Sequence, residues 1–314
     1  MSDQLRDEAL LALGRKLQAS GYRFTTITQA SHRRVNARPE NAWARKLTDV
    51  LGWSRPFRDG TLDADTVGMM RAAGILAAHE DGWKSTLRAS TIGDQLFFHS
   101  AYPTSSDDAV FFGPDTYRFV RALESCLAVP GNTVNRAVDI GCGSGPGALA
   151  VARRFPAAQV IGADINERAL RLTRINSQLA GARNLVTKNS NLLGSLDGQF
   201  DLIVSNPPYV QDPDELPYRH GGGEFGAGLS LAIVDAAIER LAPGGALLLY
   251  TGVAIVDGAD LFQREAGARL DRAGFSWAYE EIDPDIFGSE LSGEAYAAAD
   301  RLAAVLLRAE RPQY

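Results

Sequence analysis

The sequence predicts an α/β protein in which a doubly wound, mostly parallel sheet of seven strands follows a smaller, helical N-terminal unit. Three observations support this expectation. From Val134 onward, short apolar runs alternate with helical patterns, a glycine-rich turn follows the first run, and the fourth run ends at two consecutive prolines. Such alternation is typical of parallel sheets, because each crossover between parallel strands needs a long connection, usually a helix.

No long helical pattern separates the last two predicted strands, so we expect an antiparallel pair at one edge of the sheet. The predicted strands span residues 137–141, 159–165, 185–190, 200–205, 246–251, 276–282 and 303–308. The predicted helices between them span residues 147–155, 168–180, 229–241 and 259–274.

The first hundred residues predict helices followed by a hairpin, an order similar to that of winged-helix units. Helical patterns cover residues 3–20 and 41–51, and Asp63 is a candidate N-cap for a helix that ends near Gly74. A tight turn at residues 80–82 then joins two short strands. Because this turn is acidic and unsuited to entering DNA, we favour a docking or cover role for the unit.

A turn-rich, polar segment at residues 102–108 marks the predicted domain boundary. It divides the chain into an N-terminal unit at residues 1–105 and a second domain at residues 106–314. The second domain opens with an apolar segment, a Gly-Pro turn and a helix that Asp115 or Thr116 is expected to cap.

Composition is that of an ordinary globular chain with room for two domains. Its 314 residues are 45% apolar and 22% charged, and the net charge of −6 gives no global basic field for holding a long nucleic acid. A local basic cluster is interpreted as a solvated loop, with contact to a polyanion as the alternative. The cluster consists of His32, Arg33, Arg34 and Arg38.

Cysteine usage and the N-terminal residues favour a cytoplasmic protein. Of the two cysteines, Cys142 lies in the glycine-rich turn, where a disulfide would be disruptive, so a reducing compartment is expected. The chain does not open with a basic-then-apolar leader, and its longest apolar run, near residues 246–256, is too short to span a bilayer. We predict neither a membrane partner nor a metal site.

The fourth apolar run ends in Asn206-Pro207-Pro208-Tyr209, a sequence suited to holding a planar NH2 group. Neither proline donates a backbone hydrogen bond, so the chain leaves the sheet in a stiff, extended form at the carboxyl edge, where open α/β sheets bind ligands. The Asn206 side-chain oxygen and the Pro207 carbonyl are candidate acceptors for the two hydrogens, and Tyr209 is a candidate stacking partner. These four residues are the predicted catalytic group.

The glycine-rich turn after the first strand predicts a cofactor site. It reads Asp139-Ile-Gly-Cys-Gly-Ser-Gly, and glycines at 141, 143 and 145 allow sharp turns and close approach of a ligand to a helix N-terminus. Read from Gly143, the turn also fits the G-x-G-x-x-A pattern of dehydrogenases, so a nicotinamide enzyme is an alternative. Asp164, after the second strand, suits ribose hydroxyls in either case.

Two further positions separate these alternatives. The Asp139 carboxylate can address an ammonium group but would repel a pyrophosphate, and the polar end of the third strand, including Asn191, suits an adenine edge. Together with the NH2 receptor, they describe a cofactor with an amino-acid end, a ribose and an adenine. The sequence therefore predicts S-adenosylmethionine.

These residues resemble the class I S-adenosylmethionine-dependent methyltransferases and, within them, the Asn-Pro-Pro-Tyr group of amino-methyltransferases, over about residues 109–314. The similarity is closest to the HemK-type enzymes, which modify a glutamine nitrogen in release factors or ribosomal protein. The resemblance implies a Rossmann-like sheet and a cofactor site. That site comprises Asp139, Gly141, Cys142, Gly143, Gly145, Asp164, Ile165, Asn191 and Asn206.

We therefore expect methyl transfer to an amide or amine nitrogen, with a protein glutamine as the favoured acceptor. An exocyclic base amine in nucleic acid and a small-molecule amine remain alternatives, and a nicotinamide oxidoreductase or an idle binding module is a more distant one. The glycine-rich loop at residues 219–228 is a candidate lid, and its His220 is interpreted as a solvated residue rather than a base.

Overall fold

The computed structural model describes residues 2–104, 106–128, 133–211 and 219–313. The N-terminal part contains α1 (Asp3–Ala19), α2 (Gln29–Asn36), α3 (Leu47–Leu51), α4 (Ala64–Ala72), β1 (Leu76–His79), β2 (Gly82–Ser85), β3 (Leu87–Ile92) and β4 (Gln95–Ser100). The remainder contains α5 (Pro114–Leu127), β5 (Arg136–Ile140), α6 (Pro146–Arg154), β6 (Gln159–Asp164), α7 (Glu167–Leu179), β7 (Leu185–Asn189), β8 (Phe200–Ser205), α8 (Gly228–Arg240), β9 (Leu241–Val256), β10 (Ala259–Asp260), α9 (Leu261–Arg272), β11 (Ser276–Asp283) and β12 (Arg301–Glu310).

The central sheet confirms the predicted doubly wound architecture. Its strand order is β11-β12-β9-β8-β5-β6-β7, and β10 adds a short antiparallel pairing to β9. The five strands from β9 to β7 are parallel to one another, while β12 runs antiparallel to β9 and β11 antiparallel to β12. The predicted antiparallel edge is therefore confirmed, with β12 inside it and β11 outermost.

Helices cover both faces of the parallel part, so its central strands are buried on both sides. Val138 on β5 and Ile203 on β8 are completely inaccessible, and they share one apolar core with residues of α8 and α9. Leu202 and Val204, which point to the opposite face, lie in a second core with residues of α5 and α6. Continuous apolar runs are expected for strands buried in this way.

The N-terminal part departs from the expectation in three places. The helix predicted at residues 41–51 reduces to α3, because Trp43 packs against His79 and Arg58 instead of lying on a helix face. The basic cluster is helical rather than a loop, since most of it lies in α2, where Thr28 accepts a hydrogen bond from the Ser31 amide as N-cap. A second hairpin, β3–β4, follows the predicted one.

The N-terminal part packs directly on the domain that follows. Leucines of α1 share a core with Leu172 and Ile175 of α7, and Asp7 pairs with Arg171 at 2.6 Å. The predicted boundary residue 105 lies outside the described residues. In the described part of the chain, none of the helices combines the length and apolar character needed to cross a membrane.

Candidate active site

The carboxyl ends of the central parallel strands meet at one edge of the sheet. In the register, Ile140 of β5 pairs with Ser205 of β8 on one side and with Ala163 of β6 on the other. From β5, the chain adds β6 and β7 on one side of the sheet and then β8 and β9 on the other. The crevice between β5 and β8 is therefore the topological switch point, where such sheets bind ligands. Gly141 and Asn206 follow directly on its two sides.

The glycine turn after β5 uses its own amides to hold its shape. The amides of Gly141 and Cys142 both donate to the Ala163 carbonyl, and the Gly145 amide donates to the Cys142 carbonyl. Gly141 and Gly143 have φ angles of 70° and 56°, and a Cβ at either would meet no atom within 4 Å. The turn therefore faces open space but offers few free amides for a pyrophosphate.

Asp139 is buried beneath this turn, and it accepts a hydrogen bond of 2.7 Å from the Ala148 amide of α6. Burial, with a smaller contribution from the nearby Asp164, raises the pKa of its carboxyl group to about 8, although the Ala148 hydrogen bond opposes the shift. A cation placed over the turn would favour the ionised form. The site therefore suits an ammonium group and disfavours an anion.

The raised pKa of Asp139 makes stability depend on pH. The unfolded carboxyl ionises near pH 4, whereas the folded one keeps its proton up to about pH 8, so its contribution is complete below pH 4 and is lost as the pH rises towards 8. In the wild type, we expect this carboxyl group to lower the free energy of unfolding by up to about 1.4 kcal/mol for each pH unit between pH 5 and 8. Asp139→Asn should remove this pH dependence, as measured by urea unfolding. The exposed Glu239→Gln is the matched control. Parallel stability curves for wild type and Asp139→Asn would contradict this role.

Asp164, at the end of β6, positions both its own loop and the glycine turn. One carboxylate oxygen accepts from the Gly143 amide and the other from the Asn166 amide, each at 2.9 Å. Burial raises the pKa of this half-buried carboxyl group. The next residue, Ile165, is 59% exposed, which places an apolar side chain beside the acid at the open edge.

Of the two asparagine side chains at the end of β7, those of Asn189 and Asn191, only one is available to bind a ligand. Asn189 donates its side-chain NH2 to the Ile165 carbonyl and to Glu167, and the Ser190 hydroxyl accepts from the Ser195 amide. The Asn191 side chain is exposed and has no hydrogen-bond partner in the described part of the chain.

The Asn-Pro-Pro-Tyr segment begins where β8 leaves the sheet. The Ser205 hydroxyl donates to the Ile140 carbonyl at 2.7 Å and so ties β8 to β5 just before the segment. Asn206 is half-buried, and within the described ranges its side-chain amide makes no hydrogen bond. Tyr209 is only 9% exposed, and its hydroxyl donates to Asp115 at 2.7 Å.

The described part of the glycine-rich loop is fastened to this segment. The Val210 amide donates to the Arg219 carbonyl, and the Gly221 amide donates to the Val210 carbonyl, each at 2.9 Å. A Cβ on Gly221 would stand 2.8 Å from the Tyr209 Cα, so glycine is required for this close approach. These contacts make the loop a wall behind Tyr209, and the predicted lid movement stays a prediction.

Sequence reasoning missed the group that holds the Tyr209 hydroxyl. Of the two expected caps of α5, Thr116 is confirmed and Asp115 is wrong: the Thr116 hydroxyl accepts from the Gly113 amide, while the buried Asp115 carboxylate turns towards Tyr209 and Tyr250. No local signal in the sequence marks this contact, because an acid after Gly-Pro is equally suited to capping the helix.

A mostly parallel sheet of this order, with a glycine turn after its first strand, an acid after its second and Asn-Pro-Pro-Tyr after its fourth, defines a class I methyltransferase. The family profile described as the methyltransferase small domain matches residues 119–254. The release factor glutamine methyltransferase of Bordetella pertussis is 30% identical over 211 residues, which cover 61% of this chain and 77% of that protein. The chain belongs to this family of small-domain methyltransferases.

Other relatives match over a smaller share of their length. The 4-amino-L-phenylalanine/4-methylamino-L-phenylalanine methyltransferase of Streptomyces pristinaespiralis is 35% identical, with 54% of this chain and 60% of that protein covered. The release factor glutamine methyltransferase of Deinococcus radiodurans is 36% identical, with 49% and 55% covered. The chain thus spans less than two thirds of these relatives.

Solved structures agree on the fold. Methanocaldococcus jannaschii Trm5, crystallised in complex with adenosine, shares 15% sequence identity with this chain at a TM-score of 0.50. The match covers 76% of this chain and 60% of that structure.

Proposed function

We propose that the protein is an S-adenosylmethionine-dependent N-methyltransferase whose acceptor is the side-chain amide nitrogen of a protein glutamine. The observation that carries this proposal is the unpartnered, half-buried amide of Asn206 at the switch point, one strand away from the glycine turn. The names of the Bordetella and Deinococcus relatives support a glutamine acceptor.

The residues at the sheet edge fit S-adenosylmethionine. Asp139 suits the ammonium group of its amino-acid end, and Asp164 suits the ribose hydroxyls. Ile165 and Asn191 offer an apolar face and an amide to the adenine, while the turn formed by Gly141, Cys142, Gly143 and Gly145 leaves space in front of its glycines. The buried Ser144 hydroxyl, which has no partner in the described part of the chain, is a further polar group of this turn.

When bound, this cofactor supplies a methyl group that its sulfonium charge already activates. The task of the protein is then positioning, which accounts for much of the acceleration in such transfers. The Asn206 side-chain oxygen and the Pro207 carbonyl accept the two NH2 hydrogens, Pro208 keeps the segment extended, and Tyr209 packs against the plane of the acceptor. The nitrogen sheds its proton after transfer, so no strong base is required.

An aromatic small-molecule amine is the second candidate acceptor. Three further aromatic side chains, those of Phe225, Phe287 and Tyr296, line the apolar surroundings of Tyr209. The Streptomyces relative is named for an amine carried on a phenyl ring. For either acceptor, we propose that residues 1–105 form a cover or docking unit for a cytoplasmic enzyme.

Labelled methyl transfer decides among these acceptors. The purified protein is incubated with methyl-labelled S-adenosylmethionine and host extract, and the acid precipitate is treated with protease or nuclease. We expect protease to release the label. With a purified bacterial release factor as acceptor, complete enzymatic digestion should give methylated glutamine. Label released by nuclease would indicate that the acceptor is a base amine in nucleic acid. Label that stays acid-soluble would indicate a small-molecule acceptor. Absence of both label and calorimetric cofactor binding would overturn the proposal.

A further inference from the structure

A buried carboxylate, that of Asp115, stands directly behind the proposed acceptor site. Its Oδ2 accepts from the Tyr209 hydroxyl at 2.7 Å, and its Oδ1 accepts from the Tyr250 hydroxyl at 3.1 Å. Arg118, one turn further along α5, donates to the same Oδ1 at 2.9 Å. The Asp115 side chain is only 4% exposed, so these groups replace the water that an ionised carboxylate would otherwise need.

The local structure of α5 does not need this carboxylate. Thr116 already accepts the Gly113 amide at the start of the helix, and Pro114 has no amide to satisfy. Arg118 also forms an ion pair of 2.9 Å with Asp283 on β11. Arg118 would therefore keep an acidic partner without Asp115. A buried charge costs free energy unless all of its partners are in place. The remaining partners of the Asp115 carboxylate are the two tyrosine hydroxyls.

The two tyrosines that bind Asp115 differ in their location. Tyr250, on β9, is completely buried in the core. Tyr209 belongs to the Asn-Pro-Pro-Tyr segment, and its ring is restrained on two further sides. One face lies against Gly252, where any Cβ would collide with the ring, and Phe287 meets it at 73° with ring centroids 5.8 Å apart.

We propose that Asp115 is a positioning residue for methyl transfer that acts by fixing the Tyr209 ring through its hydroxyl. The role in transfer rests on the proposed function, whereas the fixing of the ring does not. The contacts of the Tyr209 ring with Gly252 and Phe287 are apolar, so neither fixes the position of its hydroxyl. The hydrogen bond to Asp115 does fix it, and displacements of about 1 Å in such sites cost on the order of a hundredfold in rate.

The kinetic test combines two substitutions and a matched control. We expect Tyr209→Phe and Asp115→Asn each to lower kcat by about tenfold or more, as for loss of a charge-assisted hydrogen bond, with cofactor affinity unchanged within about twofold. The double variant should be no slower than the slower single variant, because both remove one interaction. Tyr250→Phe, which removes a hydroxyl from the same carboxylate, should change kcat by less than about threefold. Additive effects of the two substitutions would overturn the proposal.

A spectroscopic measurement tests the same contact without an acceptor. The nine tyrosines are replaced by 3-fluorotyrosine, and the Tyr209 fluorine resonance is assigned by its absence from Tyr209→Phe. Asp115→Asn should shift or broaden this resonance, whereas Tyr250→Phe should leave it nearly in place. An unchanged Tyr209 resonance in folded Asp115→Asn would refute the positioning role, even if the wild type transferred no methyl group. A changed resonance without transfer in the wild type would instead count against the proposed function alone.

Discussion

Replacing Asn206 with alanine is expected to lower kcat by about a hundredfold or more while cofactor affinity stays within about threefold of wild type. The side chain follows β8 at the switch point, and its amide has no partner in the described ranges. Under the proposed function, its loss removes the group that aims the NH2 nitrogen, and it leaves no buried polar atom behind. Single-turnover transfer from labelled S-adenosylmethionine and calorimetric titration measure the two quantities.

Asn206→Asp is the matched control, because a carboxylate of nearly the same shape still accepts hydrogen bonds from an NH2 group. We expect it to keep more activity than the alanine variant. If Asn206→Ala lost cofactor binding in parallel with transfer, the residue would belong to the cofactor site instead.

Asp164→Asn is expected to weaken cofactor binding by about ten- to a hundredfold, as for loss of hydrogen bonds to a charged group. The same carboxylate also holds the Gly143 and Asn166 amides, so weaker binding alone would not identify the ribose as its partner. The informative comparison is S-adenosylhomocysteine against its 2′-deoxy analogue by calorimetry. The wild type should prefer the ribose form, and Asp164→Asn should lose most of that preference. Equal losses for both ligands would mean that the substitution only disturbs the glycine turn.

The sheet could be predicted from the sequence because its signals are local. The runs that become β5, β6 and β8 are short and apolar, Gly141 directly follows the first and Pro207 closely follows the last, and the structure places each run within a residue or two of the expected bounds. The order of the motifs along the chain then fixed which of them share an edge, since parallel strands bring their carboxyl ends together.

The contacts of the Tyr209 hydroxyl could not be predicted in the same way. Asp115 lies 94 residues from Tyr209 and 135 from Tyr250, and no periodicity links positions so far apart. The sequence around Asp115 is also typical of a helix N-terminus, so a local role as a helix cap was plausible. The side chain therefore had two possible uses, and only the packing of α5 against β9 and against the segment after β8 decided between them.

The N-terminal helices were harder to predict for a different reason. Trp43 and Leu47 have helical spacing, but the tertiary contacts of Trp43 with Arg58 and His79 outweigh the weak local preference. In α2, by contrast, polar residues dominate, so an apolar period is missing and only the Thr28 cap marked its start.

The position of β12 has a consequence for biosynthesis. This strand is the last of the sheet to leave the ribosome, yet it occupies the place between β9 and β11. Until residues 301–310 have been translated, β9 presents an unpaired apolar edge to solvent, and such edges invite association with other nascent chains. A ribosome stalled before Arg301 would therefore hold an aggregation-prone intermediate, and chaperone dependence should fall sharply once this strand has emerged.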